Sequence, residues 1–407
     1  MSVFDVLQER GFVKQVVHEE ELKKLLSTEK IAAYVGFDPT ADSFHAGHLV
    51  SIMGLTHLQR AGHKAIAIVG GGTGMIGDPS GRTELRQMLT KEKIAYNASQ
   101  LKNQLSRYLD FSHDRAVMEN NADWILPLNY VDFLREIGTH FSVNRMLTAE
   151  CFRSRMERGL TFIEFNYMLL QAYDFLMLHR KHGCILQLGG DDQWANILAG
   201  ADLIRRLERK EAYGITWPLL TTASGKKMGK TEAGAVWLNP NRTSVYDFYQ
   251  YWRNTDDADV ERFLGLFTFL PMDEVRRLGA LKDQEINEAK RILAFEVTKL
   301  AHGEEEAKKA QSTAEALFVG AGSEQALPST KIKVEDYPNG IALLDLLVLT
   351  GLAPSKKEGR RLIEQGGIMV DQKTMDDVKA VISLDDFLDR SLLLRKGKKT
   401  HHRVEVI

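Results

Sequence analysis

Short apolar runs alternate with helical patterns from Ile31 to about Trp217. Ile31 to Phe37 reads as a buried strand that Asp38-Pro39 terminates. A helix follows from near Gly47, with Leu49, Ile52, Met53, Leu55, Leu58 and Ala61 at helical spacing and Gly62 as its stop. Ala65 to Val69 is the next strand-like run; then come a helix around Thr90–Leu109, the short run Trp124-Ile125, and Ile185 to Leu188 ahead of another helix. This alternation predicts an α/β fold, a parallel sheet flanked by helices. Such sheets bind ligands beyond the carboxyl ends of their strands, and Asp38, Asp78 and Gly189-Gly190 each follow a strand.

From about Ser244 to Ala316 the pattern changes to helices rich in Glu, Lys and Arg, and a stretch with Gly320, Gly322, Pro328 and Ser329 then reads as a linker. The expected division is a nucleotide-binding domain over 1–235, a helical domain over 236–318, a linker over 319–339 and a small α+β domain over 340–407. An apolar helix from Tyr130 to His140 could face a partner or the core, and the core is the default expectation.

The helix expected from about Phe162 to His179 is the most discriminating segment. Tyr167, Gln171 and Asp174 fall at i, i+4 and i+7, on one face, while Met168, Leu169, Leu170, Phe175, Leu176 and Met177 make the rest mostly apolar. Buried polar groups need partners, so this stripe asks for a polar ligand or an internal network. His45 and His48 sit around a helix N-terminus, where free N–H groups favour anions and Gly47 lets a nucleotide approach the backbone. Ser224 to Thr231 carries Lys226, Lys227 and Lys230 among Gly225 and Gly229, mobile ammonium donors on a backbone able to close over phosphates.

Charge and composition narrow the picture. The chain has 407 residues, and its 53 Lys and Arg against 55 Asp and Glu give a net charge of −2, so any nucleic-acid surface must be local. No apolar stretch reaches membrane-spanning length, and Asp5, Glu9 and Arg10 interrupt the N-terminal apolar residues, unlike a signal peptide. Cys151 and Cys184 are too few for a disulfide framework or a zinc site, and a reducing cytoplasmic setting is expected.

The order His45-Ala46-Gly47-His48, then Lys227-Met228-Gly229-Lys230-Thr231, resembles the HIGH and KMSKS signatures of class I aminoacyl-tRNA synthetases. Tyr34 to Ala41, Gly77-Asp78-Pro79-Ser80-Gly81, Asn166-Tyr167 with Gln171 and Asp174, and Gly189 to Trp194 are similar to bacterial tyrosyl-tRNA synthetases, and the likeness spans nearly the whole chain. Gly229 and Thr231 replace the two serines of the second signature, a form familiar in the tyrosyl group. The resemblance implies a Rossmann-like domain in which Tyr34 and Asp174 bind a substrate phenol. Asp78, Tyr167, Gln171 and Asn121 would receive its ammonium group and Gln193 its carboxylate. For ATP it implies Thr40, His45 and His48 at the phosphates and nucleotide, Asp38 and Gly47 beside it, and Gly190 with Asp192 at the ribose. Lys227, Lys230 and Thr231 would close over the pyrophosphate, joined by Arg82 and Arg86, which could equally form a solvated helix face.

The implied substrates are tyrosine, ATP carried with magnesium, and tRNA, with no tightly bound cofactor and no protein-held metal. A homodimer is the family's implied assembly. Ser355 to Asp371 resembles the S4 RNA-binding module, which places Lys356, Lys357, Arg360 and Arg361 on one basic helix ahead of a Gly-Gly turn and a strand. Two rival readings share part of this pattern. Another nucleotidyltransferase of the class would lack a reason for Tyr34 with Asp174, and an RNA-binding scaffold would have no use for the phosphate-site residues.

Overall fold

Six strands carry out the alternation read from the sequence: β1 (Gln15–Val16), β2 (Ala32–Phe37), β3 (Lys64–Val69), β4 (Ala116–Asn120), β5 (Cys184–Gly190) and β6 (Tyr213–Trp217). They form one sheet in the order β1-β6-β5-β2-β3-β4, parallel throughout except for the antiparallel β1–β6 pair. Helices cover both faces, so β3 from Ala65 to Val69 is an unbroken buried apolar run. Strands β2 and β5 are neighbours, and the chain winds outward from them in opposite directions. The crevice beyond their carboxyl ends is therefore the switch point at which such sheets bind ligands. The computed structural model describes all residues except 1, 78–88, 150–151, 154–155, 157–158, 224, 226–227, 232–233, 320–327, 339, 372, 388–389 and 398–399; for residues 230, 231, 317–319 and 334 it describes the backbone alone.

Two expectations for the sheet change. Trp124-Ile125 is not a strand but lies in the helical turn Ala122–Ile125, and the strand is β4, just before it. Trp124 is apolar in the pattern because it faces the core and the site; β4 sits at the sheet edge, where Glu119 and Asn120 interrupt its apolar character. The apolar stretch from Tyr130 also departs from the default. The helix Tyr130–Glu136 buries Phe133, and Ile137 follows it into the core, but Tyr130 and Val131 remain 59% and 62% exposed and Leu134 38%.

The long helix Phe162–His182 begins at a reciprocal cap between Thr161 and Glu164 and ends at Gly183, which takes the left-handed conformation (φ 62°). It packs across the sheet in a core that joins Tyr34, Ile66 and Ile68 to Met168, Leu169, Phe175 and Leu176. That packing fixes which of its polar residues point at the crevice.

By contact, residues 1–243 and 251–303 form one compact unit and residues 244–250 and 304–407 a second. The helices between 251 and 303 thus pack with the sheet unit. One reason is Arg10, whose buried guanidinium donates to the carbonyls of Gly265, Thr268 and Leu270 at 3.0, 2.9 and 2.5 Å and so pins the end of helix Val260–Phe267 to the N-terminal segment.

Within the second unit, β9 (Ser329–Ile332), β11 (Ile368–Val370), β12 (Lys373–Met375), β14 (Ser391–Lys396) and β15 (Thr400–Val406) form a sheet in the order β12-β11-β14-β15-β9, and β10 (Ile341–Ala342) pairs with β13 (Val381–Ile382). Helices Leu343–Leu349 and Lys356–Glu364 supply Leu343, Leu346, Leu347 and Ile363 to its core. Gly359 permits their close packing, since a Cβ there would lie 3.2 Å from Leu344. This places Lys356, Lys357, Arg360 and Arg361 on an exposed helix, as the sequence predicts.

Candidate active site

At the floor of the crevice, β2 carries Tyr34, buried to 1% exposure, with a hydroxyl that has no hydrogen-bond partner among the described residues. Burial foremost, and then the Asp174 carboxylate, push its phenol well above the ordinary range. Asp174, projecting from helix Phe162–His182, accepts bonds from Trp124 Nε1 at 2.7 Å and Asn121 Nδ2 at 2.9 Å. Burial lifts its carboxyl to about 7, Asp38 adds to the rise, and the two bonds oppose it. Both amide hydrogens of Asn121 are committed, one to Asp174 and one to Thr73 Oγ1 at 2.8 Å, while its oxygen accepts from Gly72 N at 2.8 Å. Asn121 thus sits at the Asp174 carboxylate, linked through Thr73 and Gly72 to the loop after β3. The glycines after β3 make this arrangement possible, because a Cβ at Gly70 would lie 2.6 Å from Asp38 and one at Gly71 2.1 Å from Asn120.

Just under one turn back on the same helix, Gln171 meets the loop after β5. Its Nε2 donates to Gln193 Oε1 at 3.0 Å, and the buried Asn196 donates to both glutamines at 3.0 and 3.1 Å. Tyr167, buried to 6%, completes the face. Asp192 folds over Gly190, where a Cβ would come within 2.5 Å of its carboxylate. A cavity of about 890 Å³ borders this edge at Asp191, Asp192 and Leu219 and runs toward Phe141, Arg145 and Arg206; it is distinct from the floor formed by Tyr34 and Asp174.

The two signature segments meet. His45 Nδ1 accepts from Gly47 N and His48 Nδ1 from His45 N, both at 3.1 Å, and the rings stand 4.0 Å apart over the turn Ala46–His48. A Cβ on Gly47 would be 2.9 Å from the Met228 carbonyl. One on Gly229, whose φ is +80°, would be 2.5 Å from Gly47 N. The segments thus touch backbone to backbone, and Tyr251 steadies the contact by accepting from Gly229 N at 3.1 Å. Beyond it, β7 (Lys230–Thr231) pairs with β8 (Gly234–Ala235). Thr40 is exposed on the loop after β2. Asp78, Arg82, Arg86 and Lys227 lie outside the described residues, as do the side chains of Lys230 and Thr231.

Sequence reasoning missed Thr73, Trp124 as an Asp174 partner, and Asn196. Only Asn196 left a signal, as a polar residue three positions after Gln193 on the otherwise apolar face of helix Trp194–Glu208.

A parallel sheet with two histidines and a glycine-closed loop over its switch point defines a class I synthetase architecture, and residues 26–319 match the family model for tRNA synthetases class I (W and Y). Residues 321–404 match the tyrosine–tRNA ligase SYY-like C-terminal domain. The tyrosine–tRNA ligases of Caldanaerobacter subterraneus subsp. tengcongensis and Acetivibrio thermocellus are 61% and 59% identical over 406 residues, covering all of both chains in each case. Among solved structures, a C-terminally truncated Aspergillus nidulans mitochondrial tyrosyl-tRNA synthetase aligns with a TM-score of 0.70 at 30% identity, covering 78% of this chain and 94% of that one. Its Coccidioides posadasii counterpart gives 0.66 at 33%, covering 76% and 91%. The chain belongs to the bacterial tyrosine–tRNA ligase family.

Proposed function

We propose that the chain joins tyrosine to tRNA in two steps, with the residues above in named roles. The observation that carries the tyrosine assignment is the buried, unpartnered Tyr34 hydroxyl beside the Asp174 carboxylate. A substrate phenol supplies the partner that Tyr34 lacks, accepting from its hydroxyl, and donates to Asp174, which Asn121 and Trp124 already hold. Phenylalanine would leave the Tyr34 hydroxyl unpaired in a dry site. Tyr167 and Gln171, with Asp78, receive the ammonium group, and Gln193 orients the carboxylate. Asn121 and Trp124 hold Asp174 in place.

In the first step a tyrosine carboxylate oxygen attacks the α-phosphorus of ATP; the bond to pyrophosphate breaks, and tyrosyl-adenylate remains. The carboxylate is already a nucleophile, so the protein's task is alignment and stabilisation of phosphate charge. Thr40, His45 and His48 serve the phosphates, while Asp38 and Gly47 flank the nucleotide and Gly190 and Asp192 the ribose. Lys227, Lys230 and Thr231, joined by Arg82 and Arg86, meet the pyrophosphate. Magnesium enters with ATP as part of that substrate. In the second step a terminal ribose hydroxyl of the tRNA attacks the adenylate carbonyl and AMP leaves. The helices within 236–318 and the basic helix of the 340–407 region hold the tRNA body.

We further assign the exposed apolar residues Tyr130, Val131, Leu134, Val143, Phe162 and Ile163 to a homodimer interface, where a second copy would take these side chains out of water. No helix among the described residues is long and apolar enough to cross a membrane, and the family reading carries a cytoplasmic site of action. The test is ATP–pyrophosphate exchange with each of the twenty amino acids offered singly, without tRNA. Exchange with tyrosine alone supports the reading; exchange with another amino acid overturns the pocket assignment.

A further inference from the structure

His45 is backed by a stack of side chains that the reaction scheme above does not use. The segment after the glycine loop runs antiparallel to the first signature: Ala46 N donates to the Val236 carbonyl and Leu238 N to the Phe44 carbonyl, both at 2.8 Å, which sets Trp237 opposite His45. The indole meets the imidazole edge-on, with ring centres 6.0 Å apart and planes at 71°. On the indole lies the Arg242 guanidinium, 3.5 Å from the ring centre. Arg242 Nη1 in turn donates to Asp42 Oδ1 at 2.8 Å, and Asp42 stands three residues before His45. Asn239 N to Ser43 Oγ, at 3.1 Å, ties the same two segments once more. Asp42, Arg242, Trp237 and His45 thus close a ring that begins and ends on one short loop.

Each link has a physical reason. A cation over an indole face is attractive, more so where water is partly excluded, and a guanidinium can stack while still donating in its plane to a carboxylate. Trp237 is half-buried, and its backbone N–H is fixed by Thr243 Oγ1 at 2.9 Å, so the ring has little freedom once Arg242 sits on it. Its partly polar surroundings make it a poor core residue; its placement is explained by what it touches.

We propose that Trp237 and Arg242 are positioning residues for adenylate formation, bracing the His45 ring through the anchor at Asp42. This rests on the role given above to His45. The brace contributes to the orientation of a group that meets the phosphates only as charge develops there, so its loss slows the chemical step and leaves tyrosine binding alone.

The experiment is single-turnover tyrosyl-adenylate formation at saturating tyrosine and ATP, with tyrosine affinity measured separately by equilibrium dialysis, on the full chain carrying Trp237→Leu, Arg242→Ala or Arg242→Lys. Trp237→Leu and Arg242→Ala should lower the rate constant about 10- to 100-fold, with tyrosine affinity within about twofold of the parent. Arg242→Lys keeps a cation for the ring and for Asp42 and should recover most of the rate. In a His45→Ala background, Trp237→Leu should have almost no further effect, which a merely structural contribution would not reproduce. A Trp237→Leu rate equal to the parent's, or an undiminished effect without His45, overturns the proposal. Should Trp237→Leu fail to fold, the exposed Arg242 variants decide the matter alone. A parent protein that forms no adenylate overturns the functional reading instead, whereas an unimpaired His45→Ala removes the role of His45 and the brace with it.

Discussion

Tyr34 and Asp174 are costly residues for an empty pocket. A buried hydroxyl without a partner forfeits about 1–3 kcal/mol of solvation, so Tyr34→Phe should leave the unliganded protein as stable as the parent or up to about 2 kcal/mol more stable, while weakening tyrosine binding. Urea unfolding and dialysis on the same preparation measure both; a clear loss of stability would show that the hydroxyl is paired after all. Asp174 supplies a pH signature. Its carboxyl is raised from 3.8 to about 7 on folding, so the folded chain holds a proton that the unfolded chain has already lost. The associated stability is present in full below about pH 4 and disappears as the pH rises through about 7. Relative to Asp174→Asn, the parent should therefore lose stability across that window, as read from unfolding midpoints at a series of pH values. These polar residues were legible in the sequence because a Tyr/Gln/Asp stripe on an apolar helix demands polar partners, in a ligand or in an internal network. What was not legible is which polar group faces which. Thr73 and Asp174, both far from Asn121 in the chain, claim its amide hydrogens.

Among the elements, the glycine-punctuated loop is the one most exposed to a single change. At Gly229 a methyl group meets both a left-handed backbone and the Gly47 amide at 2.5 Å, so the two segments must part to admit it. Gly229→Ala should slow adenylate formation by about tenfold or more in single-turnover assays, with tyrosine affinity unchanged. Slowing confined to the tRNA-transfer step would contradict the contact's assignment to ATP chemistry. Elements that carried strong periodicity were readable. The helix from Phe162 was expected to about His179 and continues to His182, where Gly183 stops it. Strand β4 escaped because an edge strand need not be apolar throughout, and Trp124-Ile125 mimicked a strand because two consecutive buried residues carry no period. The helix Tyr130–Glu136 shows the same limit from the other side, since periodicity marks an apolar face without saying whether that face meets the core or a neighbour.

For the molecule as a whole, a net charge of −2 leaves tRNA affinity to a few local cations. On the basic helix of the second unit, Lys356 is already paired with Asp345 and Arg361 with Glu358, whereas Lys357 and Arg360 have no ion pair among the described residues. Lys357→Gln and Arg360→Gln should each weaken tRNA binding and reduce the slope of log affinity against log salt by about one, with smaller changes from Lys356→Gln and Arg361→Gln. Equal effects at all four positions would mean that RNA displaces the intramolecular partners without cost. The change of composition after about Ser244 was visible in the sequence. The packing of residues 251–303 onto the sheet unit was not, since it depends on contacts such as those of Arg10 with carbonyls some 260 positions away.

A carboxyl poised near neutrality at the floor of the pocket also makes substrate capture a proton-releasing event. Near neutral pH part of the empty molecules hold a proton on Asp174, and a phenol that donates to the ionised carboxylate must expel it. The heat of tyrosine uptake should therefore vary with the ionisation enthalpy of the buffer near neutral pH, a dependence that fades as the pH is raised and Asp174 ionises in the empty pocket.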